Sequence, residues 1–382
     1  MDFSLTAEQE TLIKVIAKFA KNELLPDYMK WDREEKFPRK HWNKMVEMGL
    51  PGMTIPEEYG GMAVDCVTAG LVVEELGKGD FNCSLAVISQ LLAAEILNKS
   101  ASEKIKAEWL PRIANGEKIV ALAITEPHCG TDAVALKTRA EKKGRVYVLN
   151  GEKSGISWTF ADATLVFAKT NPEAGARGVS AFLVPMNLPG ITVQKYKDLG
   201  SKPVTRGSIF LEDVEVPAEN LVGAEGEGFI QVMKGFEFSR ILLGLGCLGA
   251  AQITLEETIK YVKERHAFGK PLAKFEGVSF PITEHLSKLE AVRWLSYRAL
   301  WLKDQGLPHG KEAAMVKWMG PQYSVEAIHD CLILHGHYGY TQEYPVEQRL
   351  RDVMGMELGD GTANACKIVI VRDVFGREFL PY

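Results

Sequence analysis

The tetrapeptide Gly359-Asp360-Gly361-Thr362 sets a carboxylate between two glycines, directly ahead of a final apolar run. Small neighbours leave Asp360 reachable, and a helix beginning there offers unpaired N–H groups to an anion. The same residues also read as a helix cap in a turn, because Asp is a favoured N-cap. A second cluster, Thr125-Glu126-Pro127-His128-Cys129-Gly130-Thr131-Asp132, gathers hydroxyls, a glycine and main-chain donors after a strand-like run. It suits a phosphate or an ordinary turn. Arg265-His266-Ala267-Phe268-Gly269-Lys270-Pro271 is a basic helix exit. Its cations can hold phosphate, or simply complement a helix dipole before a stop.

Two other patterns fail in their surroundings. Gly244-Leu245-Gly246-Cys247-Leu248-Gly249 matches the GxGxxG of dinucleotide sites. That motif needs a strand before it and an acid ending a second strand ~20 residues on. Here only Ile241-Leu242-Leu243 precedes it, Glu237 and Arg240 suit a helix, and Lys263-Glu264-Arg265 follows at the distance of the acid. These glycines read as a close helix contact, and a nicotinamide-dependent dehydrogenase would rest on them alone. His329, Cys331, His335 and His337 lack metal-ligand spacing, as does the adjacent His128-Cys129 pair, so no metal site is expected.

Three blocks must position these residues. Residues 1–117 read as helical: Thr6-Ala7-Glu8-Gln9 fits a capping box, and Leu12, Ile16, Phe19 and Leu24 recur at helical spacing. Leu71–Leu76 is apolar with glycines 77 and 79 to end it, and Ser84–Leu97 is apolar almost all round. Residues 118–227 carry short apolar runs at 119–124, 146–149, 165–168, 179–184, 191–193 and 209–211, with turn pairs Asn150-Gly151 and Pro189-Gly190. Strands without long helices between them predict an antiparallel sandwich or barrel. Residues 228–382 return to helix, over 229–265, 276–305, 311–335 and 361–375, which suits a four-helix-bundle-like domain. The fold class is α+β.

The chain has 382 residues, 46% of them apolar and 25% charged, enough for several domains with a large core. A net charge of −5 argues against a nucleic-acid binder. No uninterrupted apolar stretch reaches the ~18 residues that span a bilayer, so no membrane association is expected. Met1-Asp2-Phe3-Ser4 lacks the basic start of a leader, and six scattered cysteines without a CxxC pair read as free thiols. The expected location is cytoplasmic.

Further segments complete a pattern: Leu50-Pro51-Gly52, Pro56-Glu57-Glu58-Tyr59-Gly60-Gly61, Thr125-Glu126-Pro127 with Gly130-Thr131-Asp132, Arg265 with Phe268-Gly269, Tyr344-Pro345-Val346-Glu347 with Arg351-Asp352, and Gly359-Asp360-Gly361-Thr362. In this order they resemble the acyl-CoA dehydrogenase family of flavoenzymes over essentially the whole chain. The resemblance implies FAD held between the β domain and the C-terminal helices of a homotetramer. It also implies an acyl-CoA substrate and an electron-transfer flavoprotein as acceptor. Ile124, Thr125, Gly130 and Thr131 would line the flavin and its phosphates, Ser157 would bond the isoalloxazine edge, and Thr362 would touch FAD. Arg265 and Phe268 would reach a neighbouring subunit's FAD. Glu237 and Arg240 would flank the CoA arm, with Thr131 and Gly361 also serving the substrate. Asp360 would be the base that removes the α proton.

The departures from that pattern shape the substrate expectation. Gly155 stands where many members carry a Trp against the flavin, with Trp158 nearby to compensate. Glu276 stands where Gln is common, and Ile333 and His337 replace Gln and Gly. Asp360 stands where the base is usually Glu, and Ser239 occupies the alternative base position. The stretch 82–92, expected by family position to line the acyl pocket, carries no charge. A compact alicyclic substrate is therefore expected, as in the cyclohexanecarboxyl-CoA dehydrogenases of alicyclic acid degradation. A short linear or branched acyl-CoA is the alternative, and a non-catalytic acyl-CoA or flavin binder the rival.

Overall fold

The structure, a computed structural model, describes residues 4–380; Met1-Asp2-Phe3, part of the start read for a leader, lies outside the described residues. Six helices open the chain: α1 (Ala7–Phe19), α2 (Leu25–Glu34), α3 (Arg39–Glu47), α4 (Cys66–Gly79), α5 (Phe81–Ser100) and α6 (Glu103–Ala114). The capping box forms. Thr6 Oγ1 accepts from the Gln9 N–H at 3.1 Å, and Gln9 Oε1 accepts from the Thr6 N–H at 3.0 Å. Helix α4 runs through Gly77 because that glycine abuts the Gly246 main chain, where a side chain would collide.

The β region holds β1 (Val120–Ala123), β2 (Arg139–Lys143), β3 (Val146–Ile156), β4 (Ala163–Lys169), β5 (Val179–Pro185), β6 (Ile191–Lys195), β7 (Gly207–Pro217) and β8 (Leu221–Val222). The order is β6-β7-β3-β2-β4-β5-β8, with β1 added on β4. Most neighbours are antiparallel, as the short-strand pattern predicts, but β1 runs parallel to β4, as does the single Arg139–Lys169 pair joining β2 to β4. The Thr125 loop and the β2–β3 hairpin intervene between β1 and β4, a crossover long enough for a parallel pair. One face of β4 (Val166, Ala168) shares a core with Tyr147 of β3, and the other (Leu165, Phe167) shares one with α5 and α6. Burial on both faces explains why this strand reads as a continuous apolar run.

The chain closes with α7 (Gly228–Glu264), a small hairpin of β9 (His266–Ala267) and β10 (Lys270–Pro271), then α8 (Glu276–Asp304), α9 (Gly310–Leu334), α10 (Val346–Met354) and α11 (Ala363–Phe375). The GxGxxG lies wholly within α7. A Cβ at Gly244 would overlap Val316 of α9, and one at Gly249 would overlap the Glu74 carbonyl of α4. These glycines let three helices cross closely, as the context of the motif indicated.

By averaged hydropathy α5 and α7 are long and apolar enough to cross a bilayer, which corrects the expectation drawn from uninterrupted runs. Polar residues such as Asn82, Gln90 and Arg240 break the runs without lowering the average. The relevant windows are 83% and 89% buried, so protein covers these surfaces. Asp352 of α10 joins the three blocks: it accepts from Tyr28 of α2 at 2.7 Å, from Asn82 of α5 at 2.9 Å and from the Ser201 N–H of the β region. All six cysteines are free.

Candidate active site

Asp360 sits in the left-handed region at φ +53°, followed by Gly361 at +102°. Asp tolerates this conformation better than most side chains because it is short and polar. Thr362 takes the capping role, accepting the Ala365 N–H, so the Asp360 carboxylate is not used as the cap. Two consecutive residues of α7 hold it instead. Ser239 Oγ donates to Asp360 Oδ2 at 2.9 Å, and Arg240 Nε donates to the Asp360 carbonyl at 3.0 Å. One turn earlier Glu237 lies beside Gly310 and 3.8 Å from His309. Arg240, Asp360, Gly361 and Thr362 therefore converge where α7 meets the turn before α11, while Glu237 faces the start of α9.

The second group forms around the end of β1. The loop after Ile124 turns tightly, with Glu126 and Cys129 paired main chain to main chain. Glu126 is buried and saturated: it accepts from the Lys137 and Thr138 N–H groups, the Thr138 hydroxyl and Lys153 Nζ at 2.8 Å. Lys153 also donates to the Ile124 carbonyl at 3.1 Å. Burial opposes the charge on each partner. At Glu126, Lys153 and the hydrogen bonds outweigh it and hold the carboxyl below its ordinary range. At Lys153 burial prevails over the pull of Glu126, and the pKa falls. The Ser154 N–H donates to the Thr125 carbonyl at 2.9 Å, bringing Ile124 and Thr125 beside the strand that ends near Ser157. Thr131 and Gly130 lie exposed on the same loop.

Helix α5 ties the two groups together. Gln90 exchanges two hydrogen bonds with the Val120 main chain, and Leu92 and Ile96 abut Gly235 of α7. Ser89 of α5 accepts from Trp158 Nε1 at 2.9 Å. This corrects the idea that Trp158 compensates for Gly155. The indole is buried in a cluster with Phe37 and Phe160, while nothing lies within 4 Å of a Cβ built at Gly155. Open space at Gly155 and a Gly130 without close neighbours leave room for a flat ring system and a phosphate, so the residues fit FAD.

Arg265 and Phe268 are not brought to this site. They lie beyond the far end of α7, about 36 Å along its axis from Arg240. Phe268 is 95% exposed at φ +50° on the β9–β10 hairpin. Glu126, His128 and Cys129 do approach one another within 4.8 Å. As metal ligands they are poor: Glu126 is saturated, and burial pushes the Cys129 thiol up. In the other histidine group, His335 bonds the Cys331 carbonyl and stacks on Tyr261, while His337 is exposed. Asp352 is fully buried in its interdomain network.

Sequence reasoning missed Lys317 of α9. It donates to the carbonyls of Met356 at 2.7 Å and Gly361 at 2.8 Å. A signal was present: a lysine in the core stripe formed by Ala313, Ala314, Gly320 and Ser324.

Family models match the chain in order: the acyl-CoA dehydrogenase N-terminal domain over residues 6–117, the middle domain over 121–214 and the C-terminal domain over 226–375. The chain belongs to the acyl-CoA dehydrogenase family, enzymes that use FAD to oxidise acyl-CoA thioesters or reduce their unsaturated counterparts. It is 37% identical over 381 residues to an acryloyl-CoA reductase (NADH) of Anaerotignum propionicum, covering 99% of this chain and 97% of that protein. It is 36% identical to a short-chain specific acyl-CoA dehydrogenase of Clostridium acetobutylicum, covering 98% and 100%. The structure of butyryl-CoA dehydrogenase from Megasphaera elsdenii superposes with a TM-score of 0.95 at 31% identity, covering 98% and 100%.

Proposed function

We propose that Asp360 is the catalytic base and that the preferred substrate is cyclohexane-1-carboxyl-CoA, oxidised to cyclohex-1-ene-1-carboxyl-CoA. The observation that carries this reading is the held aspartate. Its side chain is one C–C bond, about 1.5 Å, shorter than Glu. Ser239 also occupies one of its oxygens. The α carbon must therefore come close to the Asp360 loop for proton transfer at hydrogen-bond range. An alicyclic acyl group, with both α substituents tied back in a ring, can present its proton there. The stretch 82–92 of α5, which by family position lines the acyl pocket, carries no charged residue, which disfavours a dicarboxylic chain.

The thioester acidifies the α C–H. Asp360 takes that proton as the C–H bond breaks, and the Asp360 N–H, by the family resemblance, faces the thioester oxygen where negative charge develops. Bound FAD supplies the acceptor for the hydride leaving the β carbon. Ile124, Thr125, Gly130, Thr131, Ser157 and Thr362 hold that cofactor, while Thr131, Glu237, Arg240 and Gly361 hold the acyl-CoA. A homotetramer passing electrons to an electron-transfer flavoprotein completes the reading. The exposed Phe268, far from its own chain's Asp360, supports a role in a neighbour's site.

A short linear acyl-CoA is the second reading, favoured by the short-chain relative. The deciding experiment measures anaerobic flavin reduction side by side with butyryl-, octanoyl-, isobutyryl-, glutaryl- and cyclohexanecarboxyl-CoA. A linear substrate ahead by tenfold in kcat/KM, about 1.4 kcal/mol of transition-state binding, ends the alicyclic reading. Tight binding without bleaching by any of them points to a binder. Asp360→Ala should keep FAD and acyl-CoA yet lose flavin reduction by about 10²–10⁴ or more. Near-normal bleaching removes Asp360 as base.

A further inference from the structure

Lys317 is 1% exposed and, among the described residues, is bonded to main-chain carbonyls with no carboxylate within ion-pair distance. Its two hydrogen-bond acceptors are main-chain carbonyls, Met356 and Gly361, which bracket the turn carrying Asp360. A buried charge is costly unless something charged repays it, and two carbonyls could be tied by a neutral donor. The charged groups around the turn are few. Helix α7 contributes Arg240, with the Ser239 hydroxyl on the carboxylate itself and the Cys247 thiol facing Lys317. Helix α9 contributes Lys317 and Glu326, the latter acting on Glu357; α11 contributes the Cys366 thiol, and Arg206, just ahead of β7, comes within 4.0 Å of a Cβ built at Gly355. The turn itself holds Glu357 and Asp360, and both interact electrostatically with Lys317.

We propose that Lys317 is a positioning residue for the reaction: its Nζ, bonded to the Met356 and Gly361 carbonyls, fixes the left-handed Asp360 turn and with it the aim of the carboxylate at the substrate. Two helices thereby clamp one turn. Arg240 of α7 takes the central carbonyl, and Lys317 of α9 takes the two flanking ones. Between them the backbone is held where a Glu base would tolerate more slack. A shorter base has less freedom to recover from a displaced loop, so its placement depends on that clamp. A misaimed base slows proton removal without weakening binding, and that separates this role from a plain structural tie.

This inference rests on Asp360 being the base, and the test separates the two. Lys317→Gln keeps N–H donors but removes the charge; Lys317→Arg keeps the charge. Each FAD-loaded variant is mixed anaerobically with the acyl-CoA that reduces the wild type fastest, from pH 5.5 to 9. Lys317→Gln, too short to reach both carbonyls, should slow flavin reduction 10- to 100-fold with KM within threefold of wild type. Lys317→Arg, whose wider head shifts the turn while keeping both donors, should lose three- to tenfold with KM likewise unmoved. A wild-type rate in Lys317→Gln, or a KM that rises as much as the rate falls, overturns the proposal. Should Lys317→Gln not fold, Lys317→Arg decides, and a wild-type rate there overturns the proposal. Normal flavin reduction in Asp360→Asn instead removes the base assignment itself.

Discussion

Asp80 ends α4 and begins α5, and replacing it with Asn should change how stability depends on pH. One carboxylate oxygen accepts the N–H groups of Asn82 at 2.8 Å and Cys83 at 3.3 Å; the other has the Cys83 thiol at 3.5 Å. Burial first, then the charge on Asp352, push this carboxyl from its ordinary 3.8 up to about 7. Asp352 is also raised by burial, but it accepts from Tyr28, Asn82 and Ser201, so Asp80 is the member of the pair that keeps its proton. An acid whose folded pKa is raised stabilises the fold fully below its unfolded pKa, and that contribution is lost as pH rises through the folded pKa. The slope is about 1.4 kcal/mol per pH unit, or about 3 kcal/mol between pH 5 and 7 as an upper order of magnitude. Asn supplies the same acceptor to both N–H groups and caps helices as well as Asp does. In denaturant titrations of the two holoenzymes at pH 5, 6, 7 and 8, Asp80→Asn should gain on wild type up to pH 7, with the gap level above it. Parallel pH profiles, or a variant that loses ground as pH rises, would refute the reasoning.

Two further perturbations test the scaffold. Lys153→Met leaves the Glu126 carboxylate buried without its cation, a change that typically costs about 3–5 kcal/mol; thermal melts should show that loss, and FAD should be retained less well on gel filtration. Gly249→Ala drives a methyl into the Glu74 carbonyl and should destabilise by more than about 2 kcal/mol. At Gly277, in the first turn of α8 with nothing within 4 Å of a Cβ, alanine should instead stabilise by up to about 1 kcal/mol. Neither glycine variant should alter nicotinamide binding, which isothermal titration can check.

The α, β, α order and the long C-terminal helices were legible because period and turn chemistry are local. Helix α7 spans Gly228–Glu264 against an expected 229–265, and α8 spans Glu276–Asp304 against 276–305. Strand β2, Arg139-Ala140-Glu141-Lys142-Lys143, escaped because only Ala140 is buried, so it carries almost no alternation. Helices α2 and α3 are short, with Pro26 inside the first turn of one and Pro38 capping the other, so neither carries enough period to be read on its own. At the site, Asp360 and Gly361 stood out because glycines announce unusual backbone. Ser239 was visible only as a family position; its bond to a residue 121 positions away depends on the fold. The partners of the two buried lysines were hidden for the same reason. Lys317 meets carbonyls 39 and 44 residues on, and Lys153 meets a glutamate 27 residues back, distances at which no side-chain pattern marks a partner.

The two lysines share one device. Lys153 fixes the Thr125 loop through the Ile124 carbonyl and Glu126; Lys317 fixes the Asp360 turn through two carbonyls. Each stands on a regular element, β3 or α9, and each reaches into a segment with little regular structure of its own. Loops are the parts of a fold least constrained by their own hydrogen bonds, yet they carry the reactive groups. A buried ammonium can satisfy several carbonyls at once and loses little when they shift slightly, whereas an apolar contact would leave those carbonyls unpaired. The devices differ in what balances the charge. At Lys153 the balance is a saturated glutamate in direct contact, which fits a binding loop that must stay put. At Lys317 no carboxylate is in contact among the described residues; the acidic groups of the turn are Glu357 and Asp360, and the charge of Asp360 must change when it takes a proton. Substituting these lysines should therefore have unlike consequences: loss of Lys153 should appear chiefly in cofactor retention and stability, and loss of Lys317 chiefly in the rate of proton removal.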